Sequence, residues 1–334
     1  MRQILLFGGS FDPIHNGHLE IALSALKQTK AEEVWFVLAA LSPFKEDAPP
    51  FEARASMVKL MINPYKRLKL CTIEQTLPIP SYSIDTITAL KKQHPEVSFS
   101  WLIGSDQIPD LPKWKNYEAL CEMVKFVVYP RPSHTYHHAF EEIKGLTYDI
   151  SSTDIRNGRS LDTSPKILNA MMEHGLYLKL ITQSKMSEKR FKHTLRVTEL
   201  ALELAKHHHI DENRVYLASM VHDWCKEWDK KDLEIEMKKI NPDLLKLHPA
   251  LYHGFAAASV LSKHYYVRDK QVLNAIRGHV SGASTSDIGM ILYIADKCER
   301  GRDYDSEPLI VLSKKNLRAG FKKVKQESKR YRGQ

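Results

Sequence analysis

Two hydrophobic rhythms alternate along the first 130 residues. Short apolar runs, Ile4 to Phe7, Val34 to Leu38, Leu68 to Cys71, Val97 to Ile103 and Lys125 to Tyr129, predict strands. Between them the apolar residues fall at helical spacing. Leu19, Ala22, Leu23 and Leu26 mark a helix over Leu19–Lys27, and Ala53, Met57, Leu60 and Met61 mark one over Phe51–Ile62. Ser83–Lys92 and Asn116–Met123 read as two more. Strands alternating with helices predict an α/β parallel sheet covered on both faces. Beyond a polar stretch around Thr182–Ser187 the rhythm is helical only. Phe191, Leu195, Thr198, Leu202 and Ala205 share one side, and Val215–Val221, Leu233–Lys239, Phe255–Leu261, Val272–Ile276 and Ile288–Ile294 continue the pattern. The second half is therefore predicted to be all-α. The expected domains are 1–183 and 187–312, with a basic tail at 313–334.

In a parallel α/β sheet the ligand sits outside the carboxyl ends of the strands. The loops there are Gly8–His18, Pro43–Lys45, Gly104–Asp106 and Pro130–Arg131. In the first, Gly8 and Gly9 allow a tight turn and close approach to a ligand. His15 and His18 are three apart, so both can face one way on a forming helix. A helix start with free N–H groups beside two imidazoles suits phosphate. Ile150 to Arg156 opens another helix, where Ser151, Ser152, Thr153 and Arg156 either cap it or hold phosphate oxygens.

The helical half has a different set of reactive side chains. His193, the pair His222-Asp223, His253, His279 and Asp296 lie on or beside separate helices. Nitrogen and carboxylate donors from several helices can enclose one or two metal ions. The run His207-His208-His209 lacks such a context and reads as a solvated helix end.

Composition adds few constraints beyond these. Hydrophobic and charged contents of 43% and 27% suit a globular chain, and 334 residues suit two domains. No run of about 18 apolar residues is present, so no membrane association is expected. Cys71, Cys121, Cys225 and Cys298 are scattered without a CxxC pair, which argues for a reducing, cytoplasmic setting. The net charge of +9 is concentrated near the end, in a run from Lys314 to Arg332. Such a run can contact nucleic acid or cover an anionic ligand. A solvated helix end is the commoner origin, so nucleic acid is not expected as a partner.

The string Gly8-Gly9-Ser10-Phe11-Asp12-Pro13-Ile14-His15-Asn16-Gly17-His18-Leu19 resembles the HxGH nucleotidyltransferase signature, and Ile150 to Arg156 resembles the ISSTxxR signature of the same family. Together they are most similar to bacterial nicotinate-nucleotide adenylyltransferases. The resemblance implies a Rossmann-like fold. It also implies in-line attack of nicotinate mononucleotide on the α-phosphorus of ATP, with Mg²⁺ on the phosphates. By that resemblance His15, His18, Lys45 and Arg156 act on the triphosphate. Gly8, Gly9, Ser10, Phe11, Asp106, Ser151, Ser152 and Thr153 line ATP. Tyr82, Asp85, Thr86 and Trp114 meet the nicotinate mononucleotide. Arg54 and Arg131 match family positions, with a structural role left open. Phe44 stands where the family usually carries histidine. The alternative acceptor is phosphopantetheine, whose enzymes carry Thr at the position of His15.

The order of His and Asp in the second half resembles HD-domain phosphohydrolases. The strings Arg190 to Val197 and Tyr293 to Asp303 are similar to the YqeK-type branch. This implies symmetrical hydrolysis of diadenosine tetraphosphate to two ADP at a mono- or dinuclear site of iron or another divalent or trivalent metal. The implied ligands are His193, His222, Asp223, His253, His279 and Asp296. Lys226, Val280 and Arg302 would lie along the nucleotide. The alternative is a non-catalytic nucleotide sensor.

Overall fold

A computed structural model describes residues 2–40, 49–131, 136, 138–145 and 150–332. Lys45 and Phe44 lie outside the described residues. Contacts divide the chain into two compact units, 1–156 with 162–167, and 157–161 with 168–334. The polar stretch at 182–187 falls within the second unit in this division.

The first unit runs β1 (Arg2–Gly9), α1 (Asn16–Gln28), β2 (Glu33–Leu38), α2 (Phe51–Ile62), β3 (Leu68–Cys71), α3 (Ser83–Gln93), β4 (Val97–Gly104), α4 (Tyr117–Met123), β5 (Lys125–Tyr129), β6 (Glu141–Glu142) and α5 (Ser152–Arg156). The strands form one parallel sheet of order β3-β2-β1-β4-β5-β6. The α/β parallel sheet expected from the pattern is thus present. β1 is central, with Leu6 in register with Trp35 on one side and Trp101 on the other. Covered on both faces, its segment Ile4–Phe7 can be apolar throughout. The chain winds outward on one side of β1 and then returns to β4 on the other. That reversal opens a crevice at the carboxyl ends of β1 and β4. Two features departed from the pattern. A 3₁₀ helix, Ser105–Lys113, follows β4 despite Pro109 and Pro112. The two-residue β6 is exposed and acidic, so it has no hydrophobic signature.

Next come α6 (Pro165–Glu173), α7 (Leu178–Ser184), α8 (Glu188–His207), α9 (Glu212–Val221), α10 (Lys230–Ile240), α11 (Tyr252–His264), α12 (Lys270–Gly278), α13 (Asp287–Cys298), α14 (Glu307–Lys315) and α15 (Leu317–Arg332). Among the described residues no strand interrupts them, as the pattern required. The central element is α13, with every residue from Ile288 to Ala295 buried. The basic segment near the end is not a solvated appendage. Leu317, Phe321 and Val324 of α15 are buried, and Phe321 meets Tyr293 of α13 edge-on at 5.3 Å. Within the triple-histidine run His208 is used structurally, its Nε2 lying 2.8 Å from the Ser313 carbonyl. All four cysteines are free, with Cys71, Cys225 and Cys298 buried. Among the described residues no helix is long and apolar enough to cross a membrane.

Two candidate active sites

The first site lies at the end of β1. A Cβ on Gly9 would come within 3.0 Å of the Phe11 ring, so the turn needs glycine there. Phe11 has φ of 43°, a conformation that a bulky residue adopts only when its surroundings impose it. Those surroundings are Phe7 at 5.6 Å, Phe36 at 5.3 Å and the His18 ring at 5.1 Å. The packed ring therefore sets both the turn and one face of His18.

His15 caps α1 and His18 lies in its first turn, with ring centroids 3.7 Å apart. The His15 backbone N–H donates to Nδ1 of His18 at 3.2 Å. Neutral His18 must then carry its proton on Nε2, which makes that nitrogen a donor. His15 is buried. Desolvation, with help from the Arg131 charge, pulls its pKa down to about 4. Without ligand the His15 ring is neutral at pH 7.

The second motif is laced onto this loop. Arg156 donates to the Asp12 carbonyl, to the Asp12 carboxylate at 3.2 Å and to Thr153 Oγ1 at 2.8 Å. Ser152 donates to the Pro13 carbonyl at 2.9 Å, and Thr163 to the Ile14 carbonyl at 2.8 Å. Residues 140 positions apart thus form one wall. Asp106 sits beyond β4, 3.8 Å from Arg131 Nε, while the Arg131 backbone N–H donates to Ser105 Oγ at 2.8 Å.

Two residues serve this site that the motif strings do not single out as functional. Arg54 is buried and donates to the carbonyls of Ser10, Ala39, Ala40 and Pro49. It ties the ends of β1 and β2 together and therefore has the structural role. Glu74 accepts from Ala40 N–H, Ser81 Oγ and Thr86 Oγ1. The Thr86 hydroxyl is fully buried in that network. Tyr82 is exposed and caps α3, where its N–H donates to Asp85. Lys115 lies 3.3 Å from Asp85 and 4.5 Å over the Tyr82 ring, adjacent in sequence to half-buried Trp114.

The second site is a knot of side chains from five places in the helical unit. His193 comes from α8, His222 and Asp223 from the end of α9, His253 from α11, His279 from the end of α12 and Asp296 from α13. All six are buried. Asp223 Oδ1 lies 3.2 Å from His253 and 3.5 Å from His279, and Asp223 Oδ2 lies 3.5 Å from His222. Asp296 Oδ1 lies 3.3 Å from His193 and 4.0 Å from His222. The two carboxylates therefore join all four imidazoles.

The outer nitrogens determine what the inner ones can do. Nδ1 of His222 is 2.6 Å from the Ser219 carbonyl, and Nδ1 of His279 is 2.7 Å from the Ile276 carbonyl. Nδ1 of His193 is 3.1 Å from the Glu299 carboxylate. Each acceptor requires N–H on Nδ1, which leaves an Nε2 lone pair facing inward. The Nε2 of His222 is fully buried with no hydrogen-bond partner among the described residues. Burial pulls this ring down to about 4, against the opposing pull of Asp223, so it is neutral. Burial pushes Asp223 and Asp296 up, but their cationic and imidazole neighbours prevail and hold both well below the usual carboxylate range. Neutral imidazoles and ionised carboxylates are the states a metal needs. Two triads, His193/His222/Asp296 and His222/Asp223/His279, bring their donor atoms within 4.8 Å of one another. The donor set fits a divalent metal ion in either triad, and the single Nε2 lone pair of His222 serves one ion only.

Backbone packing makes this convergence possible. A Cβ on Gly254 would lie 2.8 Å from the Ile276 carbonyl and 3.2 Å from His279 Nδ1. Glycine there lets α11 approach α12 closely, so His253 and His279 reach 3.1 Å separation. Beside the knot lies a cavity of about 570 Å³, lined by Lys226, Val280 and Arg302 among others.

A Cytidylyltransferase-like family model matches residues 6–158, and an HD domain model matches residues 190–301. A protein of Mycoplasma genitalium named "Probable nicotinate-nucleotide adenylyltransferase/Ap4A hydrolase" is 30% identical over 96% of this chain and 96% of its own length. One of the same name from Mycoplasma pneumoniae is 29% identical over 95% and 96%. The chain belongs to this fused family. A Methylacidiphilum infernorum protein named "Probable nicotinate-nucleotide adenylyltransferase" is 41% identical over 46% of this chain and 78% of its own. The family's two parts thus coincide with the two sites built above. Glu299 is a further member of the second site that the pattern of His and Asp did not mark. It accepts from Arg196 at 2.6 Å and from the Gly301 N–H at 2.7 Å, and so holds His193.

Proposed function

We propose that the chain is bifunctional. Residues 1–183 transfer AMP from ATP to nicotinate mononucleotide, giving deamido-NAD and pyrophosphate. Residues 187–312 hydrolyse diadenosine tetraphosphate to two ADP. Both reactions belong in the cytoplasm, where these nucleotides are made and where free cysteines persist. The observation that carries the reading is full-length similarity to fused relatives, supported by the converging His and Asp donors of the second unit.

In the first reaction the protein acts by placement and charge. The Nε2–H of His18 donates to a phosphate oxygen. His15 beside it starts neutral, and a bound triphosphate favours its protonation. Lys45 and Arg156 offset charge on the departing pyrophosphate. Gly8 to Phe11, Asp106 and Ser151 to Thr153 hold ATP. Tyr82, Asp85 and Trp114 hold the mononucleotide, its ring against the aromatics. Thr86 acts through Glu74 rather than on the ligand. Mg²⁺, when bound with the nucleotide, would offset phosphate charge while taking few ligands from the protein.

In the second reaction His193, His222, Asp223, His253, His279 and Asp296 hold the metal, for which iron is the proposed ion. Bound there, such a metal supplies an acidic water and neutralises phosphoryl oxygens. Glu299, Ser219 and Ile276 orient the imidazoles. Lys226, Val280 and Arg302 flank the nucleotide.

The test pairs the two halves in one chain. Supplied with ATP and Mg²⁺, it should adenylylate nicotinate mononucleotide in preference to nicotinamide mononucleotide. Turnover of phosphopantetheine alone overturns the first assignment. ADP should be the sole product from diadenosine tetraphosphate, lost in His222→Ala. A metal-free, inactive second half would instead make it a nucleotide sensor.

A further inference from the structure

Six Lys and Arg side chains line the cavity beside the His/Asp knot, against two carboxylates. The carboxylates already have cationic partners. Arg190 is 3.0 Å from Asp223, while Lys297 at 2.5 Å and Arg302 at 3.4 Å both meet Asp296. That leaves Lys226, Lys325 and Lys329 with no carboxylate within 4.0 Å among the described residues, although Lys226 feels the charges of Asp223 and Asp296. Any metal in the knot adds further positive charge. A half-enclosed space with this excess of positive charge attracts polyanions.

Two of those three lysines come from α15, the helix that sequence alone makes a solvated basic end. Lys325, Ser328 and Lys329 are spaced i, i+3, i+4, so they share a face, and all three line the cavity. The helix is fixed in that orientation. Phe321 and Val324 are buried, and Lys325 Nζ donates to the Gly282 carbonyl at 2.7 Å, on the loop that also carries Val280 and Ser281. An ammonium has three N–H donors, and this contact uses one. Lys329, one turn on, is exposed.

We propose that α15 is a wall of the hydrolase site, in which Lys325, Ser328 and Lys329 hold phosphates of a polyphosphate ligand remote from the metal. This rests on reading the cavity as a phosphohydrolase site, and makes the basic helix a determinant of ligand phosphate number.

The test uses the full chain loaded with metal. The double variant Lys325→Met, Lys329→Ala should raise KM for diadenosine tetraphosphate roughly 10–100-fold, with kcat nearly unchanged and a flatter dependence of KM on salt. Lys329→Arg should restore most of the loss seen in Lys329→Ala. Lys322→Ala removes an exposed charge from the same helix away from the cavity and should change neither value. Because Lys325 also contacts Gly282, Lys329→Ala alone is the folding-neutral version. Inorganic tripolyphosphate, titrated calorimetrically, gives a readout independent of hydrolysis. The component read is the one abolished by Asp223→Ala, which separates it from binding in the first unit. If tripolyphosphate binding weakens in the lysine variants but diadenosine tetraphosphate is not hydrolysed, the basic wall stands and the hydrolase assignment fails. Unchanged KM, salt dependence and tripolyphosphate affinity in the double variant would overturn the proposal.

Discussion

The two sites are built on opposite plans. The first is a turn: backbone N–H groups, three glycines and two histidines within the eleven residues Gly8 to His18, stiffened by Phe11 and closed by Ser152 and Arg156. The second is a convergence: six donors spread over about a hundred residues, all buried, with the outer nitrogens of His193, His222 and His279 held by carbonyls and a carboxylate. The difference follows from what each holds. Phosphates bring their own charge and need only donors that point at them, which a strand-to-helix turn supplies. A metal site must present several lone pairs to one point, and no short segment can do that.

The strongest way to break the comparison is to damage the second plan at its junction. Asp223 touches His222, His253, His279 and Arg190. Asp223→Asn should reduce metal content and hydrolysis beyond the ~10–100-fold typical of outer-shell changes, with adenylyl transfer unaffected. Elemental analysis and both assays on one preparation check it. A parallel fall in transfer would show that the sites are not separate in function.

Damage to the first plan should do somewhat less. His18→Ala removes one preorganised donor and should cost on the order of 10²–10³-fold in transfer rate, with hydrolysis unchanged. His18→Asn, which keeps an N–H, should recover part of it. Equal losses in the two variants would mean that ring packing against Phe11 matters more than the donor.

A third measurement addresses the support layer. Glu299→Gln keeps the shape but weakens the hold on His193 and Arg196. Metal affinity should fall ~10–100-fold, more steeply than kcat at saturating metal. An unchanged affinity would assign Glu299 to the Arg196 and Gly301 contacts alone.

The same contrast explains what could be read without coordinates. The β1 turn was legible because its chemistry is contiguous: Gly9, His15 and His18 announce themselves by spacing. The six His and Asp donors were visible as residues on helices, yet their meeting depended on helix packing at Gly254, which no local pattern encodes. Glu299 and Glu74 were not legible, because a single glutamate in sequence has no mark until its buried partners are known. Arg54 matched a family position with its role left open, and its bonds to the carbonyls of Ser10, Ala39, Ala40 and Pro49 appear only in three dimensions. The basic run was legible as charge but not as a wall. Phe321 and Val324 place its helix, and their i, i+3 spacing is too sparse to outweigh the lysines around them.

The smallest effect is a pH-dependent one, confined to the first plan. Burial, aided by Arg131, puts the His15 pKa at about 4, below its ordinary 6.5. The unfolded chain therefore binds a proton between pH 6.5 and 4 that the folded unit refuses. Stability from neutral His15 is complete above pH 6.5 and is lost as pH falls toward 4. Between pH 7 and 5 the loss should be about 2 kcal/mol in the ligand-free protein. His15→Asn has no titrating ring, so its stability should fall less over that range, and the difference between the two chains isolates this group. Bound triphosphate should shrink the difference, because anionic oxygens favour the protonated ring. The second site's imidazoles are the same in both chains and cancel in the subtraction. Identical denaturation midpoints for wild type and His15→Asn at every pH would mean that the ring reaches solvent and that the turn is looser than its packing against His18 requires.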